Sequence, residues 1–158
     1  MDIKLPSNIK NQLLKVNYDS IATLTVYSHT LENLSNPKLL NDSNFKKIID
    51  NSSKYNYSNF TSYLIHLRES ITNNQNFTTK EEIKNFITKK VFQVSFINLE
   101  EDFYIIPHFW KYALVSTSLD IDHIYDMSLE LGICGDYFNG KDLEGSYLSS
   151  KSLYEQRF

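Results

Sequence analysis

Glycine is scarce in this chain of 158 residues: there are four, Gly132, Gly135, Gly140 and Gly145, and all fall within fourteen positions. A glycine-rich phosphate loop anywhere else in the sequence is therefore excluded. Cysteine is limited to Cys134, which rules out an internal disulfide and any multi-cysteine metal site. The four histidines, His29, His66, His108 and His123, lack zinc-ligand spacing, so no metal site is expected. Positive charge is not in excess. A formal net charge of -3 and a pI near 5.8 leave no basic footprint for a phosphate backbone, and no nucleic-acid partner is expected. No apolar run reaches the length of a membrane span, and "MDIKLPSNIK" has no signal-peptide core. The expectation is a soluble, cytoplasmic protein with no membrane partner.

What the chain has is aromatic residues, 11 Tyr and 10 Phe, within a hydrophobic fraction of 41% that suits a globular core. "SIATLTVYS", Ser20 to Ser28, nearly alternates β-branched and aromatic residues with polar ones and reads as a strand. Pro37 marks a break, and "FKKIIDNSSKYNYSNF" reads as two short apolar runs around a turn. "FTSYLIHLRES" is ambiguous. Phe60, Tyr63, Leu64 and Leu67 share a helical face, which leans the reading to helix, while Tyr63, Ile65 and Leu67 alternate as in a strand.

The clearest element follows. Thr79 and Glu82 have capping-box spacing, and Ile83, Phe86, Ile87, Val91 and Val94 make one apolar helical face. "DFYIIPHFWKYALV", Asp102 to Val115, reads as a strand that Pro107 interrupts or restarts. Strand alternation after Pro107 puts His108, Trp110 and Tyr112 on one side and Phe109, Lys111 and Ala113 on the other. "LELGICGD" reads as a short strand ending in Gly135-Asp136. After a loop, Leu143, Tyr147, Leu148 and Tyr154 suggest the apolar side of a last helix. Unpaired N–H groups at that helix start favour an atom that gains negative charge, and Gly145 without a side chain would let a flat ligand approach the backbone. Cys134 with His123 makes a poor nucleophile pair, because a cysteine in an apolar strand is usually inert.

"CGDYFNGKDLEGSYLSSKSL" resembles the C-terminal FAD motif of flavin-dependent amine oxidases, and is most similar to that of the renalase-like branch. "VNYDSIATLTV", "IIDNSSKYN", "SYLIHLRES" and "HFWKYALV" resemble further segments of that branch in the same order, over roughly residues 16 to 155. The resemblance favours strand for "SYLIHL". It implies an α+β fold in which residues 1–115 form the antiparallel or mixed sheet and flanking helices of a flavoenzyme substrate domain. Residues 116–158 would supply the C-terminal strand-loop-helix of an incomplete, Rossmann-like FAD-binding domain.

The implied cofactor is FAD, with Asp136 (beside Gly135) at its ribityl or pyrophosphate part and Leu143, Glu144, Gly145 and Ser146 at the flavin pyrimidine edge. His108, Trp110 and Tyr112 would face the substrate, a reduced nicotinamide nucleotide or an amine, whereas His66 is read as structural. No residue is assigned as a catalytic acid or base, since hydride transfer to a flavin mainly needs orientation. The family's strand-GxGxxG-helix unit is absent. The resemblance therefore implies the C-terminal half of an oxidoreductase that alone binds FAD weakly or not at all. Its apolar surface would invite a separate N-terminal FAD-binding half or self-association; the alternative is a non-catalytic remnant or interaction module that has lost the cofactor.

Overall fold

The computed structural model describes residues 4–28, 34, 37–52, 61–99 and 103–157. Elements follow in the order α1 (Ser7–Leu13), β1 (Asn17–Ser28), α2 (Pro37–Leu40), β2 (Phe45–Asp50), β3 (Thr61–Leu67), α3 (Glu69–Gln75), α4 (Lys80–Ser95), β4 (Phe103–Thr117), β5 (Ile124–Asp126), β6 (Leu131–Ile133) and α5 (Leu143–Arg157). The chain divides into two compact units, one of Ser20–Lys111 and one of Met1–Asp19 with Tyr112–Phe158. The expected division lay at residue 115; the boundaries here fall inside β1 and β4.

The central unit, Ser20–Lys111, holds a sheet of order β2-β3-β1-β4. β3 is antiparallel to β1, with Leu24 opposite Ile65, and to β2, with Ile48 opposite Ile65. β4 also runs antiparallel to β1, because Ser20 meets Lys111, Thr23 meets His108 and Tyr27 meets Tyr104. With helices between β1 and β2 and between β3 and β4, this is the split β-α-β-β-α-β arrangement. It agrees with the α+β expectation at that coarse level.

One face of the sheet is packed. Ala22, Leu24 and Val26 of β1 and Tyr63, Ile65 and Leu67 of β3 are buried with Ile83, Ile87 and Val91, which recur every four residues along α4. Phe103, Ile105 and Phe109 of β4 add partly buried rings and side chains to that core. Fully burying a side chain such as Ile87 contributes roughly 1.5–3 kcal/mol. The expected capping box is present: the Thr79 hydroxyl accepts the Glu82 N–H at 3.1 Å, and the Glu82 carboxylate accepts the Thr79 N–H at 3.3 Å. "SYLIHL" is strand, against its helical lean, because Thr61–Leu67 pairs on both sides and only alternation serves a strand buried between neighbours. The expected turn between β2 and β3 lies mostly outside the described residues. Pro107 neither interrupts nor restarts β4. At the end of the strand order, β4 needs ladder donors on one side only, so a missing N–H is tolerated.

In the terminal unit Ile9 of α1 packs with Leu119, Ile124 and Phe138, and with the partly buried Leu13, Ile133 and Tyr137. The loop after β6 is tied down by Leu119 N–H on the Tyr137 carbonyl at 2.8 Å and Asn139 N–H on the Ile121 carbonyl at 3.1 Å. β6 forms a two-stranded antiparallel hairpin with β5. No helix among the described residues is long and apolar enough to cross a membrane.

Candidate functional site

Gly135, Asp136 and the start of α5 all lie in the terminal unit. Ser149, buried on the inner side of α5, joins them: its hydroxyl donates to the Asp122 carbonyl at 2.6 Å and accepts the Gly135 N–H at 3.2 Å. A second clasp lies one turn on, where His123 meets the Ser152 hydroxyl at 3.0 Å through Nδ1 and the Gln156 side-chain oxygen through Nε2. His123 is thus engaged by α5 and is no base for Cys134, which accepts a contact from the Ser150 hydroxyl at 3.5 Å.

Asp136 accepts a hydrogen bond from the Tyr18 hydroxyl at 3.4 Å. Burial first, then the neighbouring Asp136 carboxylate, pushes the Tyr18 phenol above its ordinary pKa of 10.0. The Tyr18 ring stands edge-on to Tyr112, with centroids 5.6 Å apart. Tyr137 is raised too, by burial first and then by Cys134 and Asp136.

The glycines serve close approach and none needs a special dihedral, since no glycine among the described residues has positive φ. What approaches Gly145 is Gly140. A Cβ on Gly145 would lie 2.7 Å from both the Cα and the carbonyl carbon of Gly140, and a Cβ on Gly140 would lie 2.4 Å from the Gly145 Cα. The helix start is occupied from within as well. The Asp142 carboxylate accepts the Gly145 N–H at 3.0 Å, while the Asp142 carbonyl accepts from Ser146 through its N–H at 3.0 Å and its hydroxyl at 3.2 Å. Asp142 is the N-cap, a residue the sequence reading passed over although an Asp three places before Gly145 is a strong cap signal.

These contacts test how an FAD edge would fit. At Gly145 it does not: the N–H faces Asp142 and the side-chain position faces Gly140. The N–H groups of Leu143 and Glu144, the first two of the helix, have no acceptor within the helix and suit an electron-rich ring edge.

The amphipathic reading of α5 is inverted. Leu143 is 87% exposed and Tyr147 65%, with Leu148 and Tyr154 also outward, while the inner side carries Gly145 and Ser149. Small residues let the helix start sit close to the loop, with Leu153 turned towards Gly132, and Leu143, Tyr147, Leu148 and Tyr154 are left outside.

The substrate-facing candidates follow the alternation of β4. Trp110 is 54% exposed, Tyr112 69%, and His108 is exposed, whereas Phe109 packs inward. In the central unit the His108 and Trp110 rings lie 4.3 Å apart. His108 also lines a hollow of about 150 Å³ with Thr78, Ile83 and Phe109. Tyr112 belongs to the terminal unit, beside Tyr18. Among the described residues no cluster of His, Cys, Asp or Glu is arranged for a metal ion. Comparison of the sequence with protein-family models and with curated proteins finds no match.

Proposed function

We propose that this chain is part of an FAD-dependent oxidoreductase of the amine-oxidase superfamily, renalase-like, acting on a reduced nicotinamide nucleotide or an amine. The observation that carries the reading is the run from β6 through Gly135-Asp136 and a tied loop into α5, the strand-loop-helix that the resemblance implies at "CGDYFNGKDLEGSYLSS". The exposed rings of His108 and Trp110 on β4 support it with an aromatic wall of the expected composition. Asp136 and the N–H groups of Leu143 and Glu144 would hold the cofactor, and bound FAD would supply the hydride acceptor, with O2 the final oxidant. The residues of this chain would orient and electrostatically favour that acceptor; none need act as a strong base.

A second reading has its own support. Gly140 against Gly145 and Asp142 on the Gly145 N–H fill the place meant for the ring, and the outward Leu143, Tyr147, Leu148 and Tyr154 offer an apolar surface to a protein partner. This favours a non-catalytic interaction module.

The absorption spectrum of the purified protein separates the two, measured alone and after co-expression with a chain carrying a GxGxxG unit. Flavin bands in the co-expressed sample are the result expected of an oxidoreductase half. Colourless protein in both samples would reject it in favour of the module.

A further inference from the structure

β3 lies between β2 and β1, and its register sets His66 opposite Lys47 on one side and Thr23 on the other. Its Nε2 is shut off from solvent and has no hydrogen-bond partner among the described residues. A neutral imidazole tolerates this, because with its single proton on Nδ1 the enclosed Nε2 carries only a lone pair. The imidazolium does not: it must carry a proton on Nε2 as well, and a buried donor then lacks an acceptor.

The surroundings do not compensate. The Thr23 hydroxyl is directed at the His108 carbonyl at 3.5 Å. β2 brings Lys47 and Lys46, whose charges act on the ring, and the Glu69 carboxylate of α3 is paired with Lys46. Arg68 follows just past the end of β3 as the N-cap of α3, and β1 from Ser20 to Ser28 carries no charged residue.

We propose that His66 is an acid-sensitive latch of the central sheet: neutral, it packs between Thr23 and Lys47, and its protonation loosens the pairing of β3 with β2 and β1. Burial first, then the charges of Lys47 and Lys46, hold its pKa below the ordinary 6.5. A pKa depressed in the folded state means that the unfolded chain binds the proton more tightly. The stabilisation is therefore complete above pH 6.5 and is lost as pH falls through the folded value.

The test is thermal unfolding of the wild type and of His66→Gln at pH 7.5 and 5.0. The wild type should lose more Tm across that interval than the variant does, and equal losses would overturn the proposal. Should His66→Gln fail to fold, an NMR titration of the wild-type His66 ring decides. A midpoint below 6.5, with faster amide exchange in β3 at the acid end, supports the latch; a midpoint at or above 6.5 refutes it.

Discussion

Replacing Gly145 by alanine separates two accounts of why a glycine stands in the first turn of α5. If the space beside it were open, Gly145→Ala would stabilise the protein by up to about 1 kcal/mol, the helix-propensity difference between the two residues. The structure reverses that sign. The new Cβ would meet the Gly140 Cα and carbonyl carbon at 2.7 Å and its oxygen at 3.3 Å, all backbone atoms of a loop pinned by Asn139 and Lys141. Overpacking of this kind costs about 1–3 kcal/mol, and backbone that cannot swing aside puts the cost at the upper end. The net expectation is a loss of about 2 kcal/mol, or roughly 4–8 °C in Tm for a chain of this size. Urea unfolding followed by circular dichroism measures the loss, and amide exchange from Ser146 to Leu153 locates it. Gly132→Ala is the control, since its Cβ would meet only the movable end of the Leu153 side chain. A Gly145→Ala protein as stable as the wild type, or more so, would refute the reasoning. Because the clash needs no ligand, failure of a Gly145→Leu protein to take up flavin would not by itself identify a flavin contact.

Asp142→Ala should destabilise the terminal unit by about 0.5–2 kcal/mol through loss of the cap on Gly145 N–H, with Asp142→Asn much closer to wild type; equal losses for both would point to the charge alone. The Glu82 carboxylate is held below its ordinary pKa of 4.5, first by the Thr78 N–H, then by the Thr78 hydroxyl and the Thr79 N–H. Its contribution is present above pH 4.5 and lost as pH falls through the lower folded value, so Glu82→Gln should flatten the acid limb of the stability profile. A thermal-melt series from pH 6 to about 3 checks this, and an unchanged acid slope in the variant would count against the Thr78 and Thr79 hydrogen bonds to Glu82 as its source.

Much of the central unit was legible because its signals are local. The Thr79–Glu82 box and the recurrence of Ile83, Ile87 and Val91 mark α4 through hydrogen bonds and a face that lie within one helix. The alternation along β4 placed His108, Trp110 and Tyr112 on one side, since successive side chains of any strand point to opposite faces. "SYLIHL" could not be settled by local pattern: its stripe leans to helix while its alternation and the resemblance favour strand, and pairing with Thr23–Ser28 and with β2 decides for strand.

The last helix shows where local signals stop. The sequence alone established that the glycines cluster between Gly132 and Gly145, that no second glycine loop exists and that one cysteine can form no internal bridge. Tertiary structure decided what the glycines are for. Gly140 and Gly145 are five positions apart, and only the folded loop, tied through Leu119, Ile121 and Asp122, brings their backbones into contact. That contact and the two bonds of Ser149 choose the small side of α5 as its inner side and turn Leu143 and Tyr147 outward. Hydropathy favours burying the larger residues, but a helix packs against whatever backbone lies nearest, and how close it can come is set by side chains that are absent.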